Sequence, residues 1–274
     1  VGEDQAGATT RVLEVTEASQ PFVFEDVPPG CVPSYLRGFS APVELRCERS
    51  YAEHAFAMVH ESDAFNRWEA GQRFATELLE DMIASVVRGE EPVLAPMFVK
   101  AWGGLLIDDA LDRSLVSVML ALPGESYLAE RCEVVDPGAV HTARRAAARQ
   151  LAEAHADLLV GVYRKHHTGA PYSADRDSVG QRRLANTCLG YLSELDDISS
   201  CVAQFHTADN MTDSVAALGC LCDHGGSERE NALSTFHERW RGEPLVIDKW
   251  FVLQAASDLP DTVERLVALS KHTD

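Results

Sequence analysis

The sequence predicts a mainly α chain, a superhelix of stacked helical hairpins of the armadillo/HEAT-like α-solenoid kind, preceded by a few β-strands. Three observations carry this prediction. Strand signals are confined to residues before Ser50, helix signals fill everything after it, and the connections between predicted helices are short. Short loops make consecutive helices roughly antiparallel neighbours, and no later strand returns to build a sheet. No fixed-period repeat is visible, so the repeat is one of structure rather than of residues.

Taken in order, residues 1–10 are rich in Gly, Ala and Thr and read as a flexible lead-in. R-V-L-E-V from Arg11, P-F-V-F-E-D-V at Pro21 to Val27 and P-V-E-L-R-C at Pro42 to Cys47 bring β-branched and aromatic residues together in short runs bounded by turn formers. Two to four strands are expected between Arg11 and Cys47. The prolines of Pro28 to Pro33 deny ladder donors and mark a turn or extended connection.

Asn66 to Glu69 has the spacing of a capping box and opens a predicted helix through Leu78, Leu79, Met82 and Ile83 to Arg88, ended by Gly89 and Pro92. Asp136 caps and Pro137 starts the most regular helix, whose apolar stripe runs through Leu151, His155, Leu158 and Val162 towards Gly169. Further helices are predicted at Arg182 to Leu195, Ser199 to Ala208, Thr212 to Cys222, Ser227 to Trp240, Leu245 to Ala256 and Pro260 to Lys271. Ser227 to Glu230 and Asp261 to Glu264 have capping-box spacing. The expected domains are 1–48 and 49–274.

Composition narrows the function classes. The chain has 274 residues, 46% of them hydrophobic, enough for a substantial core. A formal net charge of -19 argues against nucleic acid and against acidic partners generally. Seven cysteines, an odd number at irregular spacings, suggest free thiols in a reducing compartment and hence a cytoplasmic protein. No run approaches the roughly 18 apolar residues of a membrane span, and residues 1–10 have no signal-peptide character. Opening on Val1 rather than Met suggests a processed or excised piece of a longer chain.

Several separated blocks have unusual wording: Q-F-H-T-A-D-N-M-T-D at Gln204 to Asp213 with Phe236 and Trp240 downstream, R-W-E-A-G-Q-R at Arg67 to Arg73, S-Y-L-R-G-F-S-A-P-V at Ser34 to Val43, and P-L-V-I-D-K-W-F at Pro244 to Phe251. Together they resemble the aminopeptidase N family of zinc metallopeptidases, in its bacterial type. The resemblance covers essentially the whole chain and implies the last strands of an incomplete Ig-like β-sandwich joined to the larger part of a helical C-terminal domain. That domain closes over the catalytic cleft of an enzyme cutting single residues from peptide N-termini. Its expected partners are the catalytic domain of the same polypeptide and the parent's peptide substrates, with zinc held in the parent. The family's helical domain continues beyond the position of Asp274, and its pocket-lining residues lie mainly there.

No residue is assigned as catalytic, substrate-binding or metal-binding. The family's zinc site needs two His four apart on a helix with Glu beside the first. His60-Glu61 is followed by Ala64 and His237-Glu238 by Arg241, so neither pair completes it. The sharpest rival is Cys220, Cys222 and His224 with Cys188, Cys201 and His206 nearby. On a helix, however, Cys222 points about 200° from Cys220, and ordinary buried thiols are the plainer reading. His155 reads as a hydrogen-bonded His within an apolar stripe, and Asp108-Asp109 and Asp196-Asp197 as helix-end acids. Trp68, Trp102, Trp240 and Trp250 read as core anchors. Arg67, Trp68, Asn210, Asp213, Asp248, Lys249 and Trp250 are expected to hold structure, the Arg and Asp by pairing or capping at helix ends. Two alternatives stand beside the peptidase reading: a free-standing helical-repeat interaction module with polar capping ends, and a metal or thiol enzyme built on the cysteine cluster.

Overall fold

The computed structural model describes residues 10–273, so the expected flexible lead-in lies almost wholly outside them. Two compact units divide the chain, residues 1–33 and residues 34–274. In the first, the described residues form turns rather than regular elements. Thr16 N donates to Gln20 Oε1 at 2.9 Å and Gln20 Nε2 to Glu14 O at 3.0 Å. Among the described residues there is no strand at all, which corrects the expectation of strands between Arg11 and Cys47. A strand run gains its stability from ladder partners, and fewer than fifty residues cannot supply the roughly seven strands of a sandwich.

The second unit is helical throughout after a short 3-10 turn at Arg37–Phe39. Helix α1, Tyr51–His60, opens with a complete capping box that pattern reading passed over: Ser50 accepts from Glu53 N, and Ser50 N donates to Glu53 Oε2 at 2.8 Å. Helix α2, Ala64–Val87, is capped by Asp63, which accepts from Asn66 N at 3.0 Å. Asn66 is therefore not a cap. Its Nδ2 donates to Ser34 Oγ at 2.9 Å and Tyr35 O at 2.7 Å, tying the 3-10 segment to α2.

Three short helices follow that periodicity did not reveal: α3, Pro96–Leu106; α4, Arg113–Met119; and α5, Glu125–Arg131. Two of them have seven residues, too few turns for an amphipathic stripe to declare itself. The helix predicted from Pro137 is two helices, α6 (Pro137–Ala154) and α7 (Ala156–His166), broken at His155 with φ -126° and ψ 21°. The cause lies fifty residues upstream. The His155 ring lies directly over Gly103 of α3, stacks on Trp102 at 5.6 Å and bonds Val99 O at 2.9 Å; a Cβ at position 103 would stand 2.3 Å from it.

The remaining helices are α8 (Arg176–Ser193), α9 (Ser199–Thr207), α10 (Met211–Cys222), α11 (Ser227–Trp240), α12 (Pro244–Ala255) and α13 (Thr262–Leu269). Helix α8 starts six residues before the predicted Arg182, because Asp175 caps it by accepting from Ser178 N at 3.0 Å. Neither predicted late box forms: Gly226 and Asp261 stand at the caps of α11 and α13 without a side-chain bond. Arg229, inside the first of these, is drawn into the core instead, 2% exposed.

Helix α7 packs on α8, α9 on α10 and α11 on α12, giving three successive hairpins, while α4, α8, α10 and α12 lie side by side. A continuous apolar core runs from Met58 to Trp250. Trp102 and Trp250 are buried and donate their indole N–H to Leu120 O (3.1 Å) and Leu233 O (2.9 Å); Trp68 and Trp240 are half-buried against the same core. No helix among the described residues is long and apolar enough to cross a membrane.

Candidate functional site

The segment Gln204 to Asp213 forms the joint between α9 and α10. Gln204 is fully buried and sits among the apolar positions of α9 beside Cys201 and Phe205. A buried carboxamide must find partners for its oxygen and both N–H groups. Here Nε2 donates to Asn186 Oδ1 at 2.7 Å and Asp213 O at 3.0 Å, and Oε1 accepts from Tyr163 Oη at 3.1 Å. Burial pushes the Tyr163 phenol up to about 12, so it stays a donor.

Asn186 passes the chain onward, donating to Asp213 Oδ1 at 2.8 Å, and Asn210 donates to Asp213 Oδ2 at 2.8 Å while capping α10 by accepting from Asp213 N at 3.0 Å. The helix therefore begins at Met211, a residue before the predicted Thr212 or Asp213. Asp209 reaches the other way, accepting from Tyr172 N at 2.8 Å. Four helices, α7 to α10, are thus joined through one set of neutral amides and a single carboxylate.

Beside this network opens a groove of about 670 Å³, lined by α4, α8, α10 and α12. Val118, Ala121, Met211, Val215 and Ala216 make its apolar surface; Arg183 on α8 and Lys249 on α12 supply positive charge. Sequence reading placed Lys249 and Asp248 with helix-end structural residues, whereas both stand exposed in the middle of α12. It named Gln204 as the start of the Gln204 to Asp213 block without giving its side chain a role, and did not single out Asn186 or Arg183. The available signal was Gln204 itself, a polar residue in step with the apolar stripe of α9.

The other singled-out residues are dispersed. Asp108 accepts from Arg67 at 2.9 Å, and the buried Arg67 also donates to Met58 O at 2.9 Å. Asp109 pairs with Lys165 at 2.7 Å, Asp196 with Arg149 at 3.1 Å, and Asp197 accepts from Ser199 N at 3.0 Å. His60 is exposed against Phe56, and His237 packs on Trp250 at 4.8 Å.

The cysteines do not fit a zinc site. Cys220 shares a hydrogen bond with Cys201, which together with burial holds Cys201 above the usual thiol range, while Cys222 faces Arg229. Burial pushes Cys188 and Cys222 up to about 12, whereas the bond with Cys201 holds Cys220 below the usual thiol range. No three His, Cys, Asp or Glu side chains converge among the described residues.

Comparison with known proteins places this architecture. A family model described as a domain of unknown function (DUF3458_C), ARM repeats, matches residues 51–274, and one described as a domain of unknown function (DUF3458), Ig-like fold, matches residues 2–48. Aminopeptidase N of Caulobacter vibrioides is 35% identical over 268 residues, 97% of this chain and 31% of the relative. Aminopeptidase N of Escherichia coli is 34% identical over 266 residues, 95% of this chain and 30% of the relative. The chain thus spans less than a third of either. The crystal structure of Legionella pneumophila aminopeptidase A in complex with aspartic acid superposes with a TM-score of 0.75 at 27% identity, over 87% of this chain and 29% of that one.

Proposed function

The chain belongs to the DUF3458_C family of ARM repeats and, with its curated relatives, to the aminopeptidase N family, and on that premise we propose that it is the non-catalytic C-terminal portion of an aminopeptidase N-like zinc metallopeptidase. The parent removes N-terminal amino acids from peptides in the cytoplasm, with zinc and the catalytic groups in another domain of the same polypeptide. Residues 49–274 cover the catalytic cleft and restrict access to it. Residues 2–48, which the Ig-like family model matches, correspond to the end of an Ig-like domain of the parent.

The observation that carries this reading is the alignment: at least 95% of this chain matches within about 30% of each relative's length. A free-standing repeat module would end in polar capping helices. Instead Leu245 and Val252 of α12 and Val263 and Val267 of α13 are 53% to 81% exposed, which supports a packed neighbour.

The test is hydrolysis of an alanyl-anilide by the purified chain supplied with zinc, beside the longer polypeptide. Turnover by the longer polypeptide alone is the expected result. Zinc-dependent turnover by this chain overturns the reading and returns attention to Cys220, Cys222 and His224.

A further inference from the structure

The groove between α4, α8, α10 and α12 is unlike the rest of this chain in charge. The sequence carries 43 Asp and Glu against 24 Lys and Arg. Of the eleven residues lining the groove two are cations and none is an acid. Neither Arg183 nor Lys249 has a carboxylate within ion-pair distance among the described residues, whereas Arg67, Arg149, Lys165 and Arg265 all do. The nearest acid in sequence on α10, Asp213, turns its carboxylate inward onto Asn186 and Asn210.

The polar atoms of the groove are also selective. Ser117 Oγ donates its hydrogen to Ser114 O at 2.7 Å, and Thr187 Oγ1 donates to Arg183 O at 2.9 Å. Each hydroxyl oxygen therefore keeps only acceptor capacity for a ligand. A ligand with N–H donors, anionic groups and apolar side chains complements these oxygens together with the exposed Thr212 hydroxyl, which can donate or accept. A peptide does so; a fatty acid, which has no N–H, does not. Because α10 packs between α8 and α12, the two cations stand on either side of it. Extended chain advances ~3.3 Å per residue and its side chains alternate faces, so carboxylates four residues apart share a face and lie ~13 Å apart, enough to straddle a helix ~10 Å across.

We propose that this groove binds an extended acidic protein segment, with two Asp or Glu side chains on Arg183 and Lys249 and apolar side chains on Val118, Met211 and Val215. The net charge of the chain, which taken globally argues against acidic partners, acts here through the exposed Asp248 beside Lys249 and otherwise through screened distance. At ~0.1 M salt repulsion from carboxylates beyond ~10 Å is strongly damped. This proposal rests on the groove alone and is independent of the peptidase relationship.

The test is calorimetric titration of the 274-residue chain with the peptide acetyl-Gly-Glu-Leu-Val-Leu-Glu-Ala-Gly-amide, whose two Glu share one face of the extended chain. Saturable binding is expected. Arg183→Gln and Lys249→Gln should each weaken it about two- to fivefold, the upper range for an exposed ion pair. Replacing one Glu of the peptide by Gln should weaken binding to the native chain similarly, yet cost nothing further on the variant lacking its partner. Val215→Glu, which sets a carboxylate on the apolar wall, should abolish binding while leaving the circular dichroism spectrum unchanged. No saturable heat at millimolar peptide, equal binding of the same peptide with both Glu replaced by Lys, or equal binding of decanoate overturns the proposal.

Discussion

The α8–α10 joint and the α11–α13 end are built from the same unit, an antiparallel helical pair, and are fastened by opposite means. At the joint a neutral carboxamide, Gln204, is wholly buried and every bond it makes lies between 2.7 and 3.1 Å. At the end the buried polar groups are one guanidinium, Arg229, beside the carboxamide of Gln254 and the hydroxyl of Ser257. Arg229 is 2% exposed, yet its contacts to Ser257 and Asp261 are 3.4 and 3.7 Å, and the Nε atoms of Arg229 and Arg265 find no partner among the described residues. Helix α13 buries no side chain and is held through Arg265 to Glu230, Asp261 and Gln254. Desolvating a neutral amide with a full set of bonds costs little; desolvating a charge with loose partners costs more. The joint is therefore fixed, and the end is fastened by contacts that water and salt weaken.

The largest effect should come from breaking the joint. Gln204→Ala leaves Asn186, Tyr163 and the Asp213 carbonyl short of a partner, and about 3 kcal/mol of stability should be lost in chemical denaturation. A loss below about 1 kcal/mol would show that water or neighbouring groups replace the carboxamide and that the joint is not fixed by it.

Next comes Gly103→Ala, expected to cost about 1–3 kcal/mol by overpacking against His155, although alanine is the better helix former. Paired with His155→Ala it should be nearly silent. A large penalty surviving in that double variant would show that the ring is not what requires glycine.

At the end of the stack, Glu230→Gln should cost only about 0.5 kcal/mol, with faster amide exchange confined to α13. Raising the salt from 0.05 to 0.5 M should speed α13 exchange in the native chain and leave that of α8–α10 unchanged. Exchange rising equally in both regions would erase the contrast between them.

The smallest effect reverses sign. Burial raises the carboxyl of Asp223, at the C-terminus of α10, above its ordinary value. A raised acid favours the folded state only while protonated, so its contribution is present below the unfolded pKa and lost as pH rises through the folded one. Asp223→Asn should therefore stabilise by on the order of 0.5 kcal/mol at pH 7, helped by removing a negative charge from a helix C-terminus. The gain should vanish below about pH 4. Destabilisation at pH 7 would mean that the carboxylate's bond from Asp258 N outweighs its burial.

Much of the helical unit was legible before any coordinates, because Asp136-Pro137, Gly89 and the long stripes of α2 and α6 are local signals. Ser227 to Trp240 was placed to the residue. What stayed hidden depended on distant partners. The break at His155 is set by Gly103, and Arg229 turns inward because Asp261 and Ser257 arrive from the far side of α12. The groove could not be read either, since Arg183 and Lys249 are separated by 66 positions (249 minus 183) and meet only through α10. The strand-like runs before Cys47 form no ladder among the described residues, and a strand run is held by its ladder partners rather than by its own sequence.

The contact of His155 with Gly103 also orders events in time. Nothing within residues 137–166 requires the chain to bend at 155, and its apolar stripe continues straight across that position. A nascent α6–α7 segment should therefore form as one uninterrupted helix and divide in two only when α3 docks and the imidazole finds the gap where a side chain is missing. The hinge at 155 is set by tertiary contact with α3 rather than by the local sequence of residues 137–166.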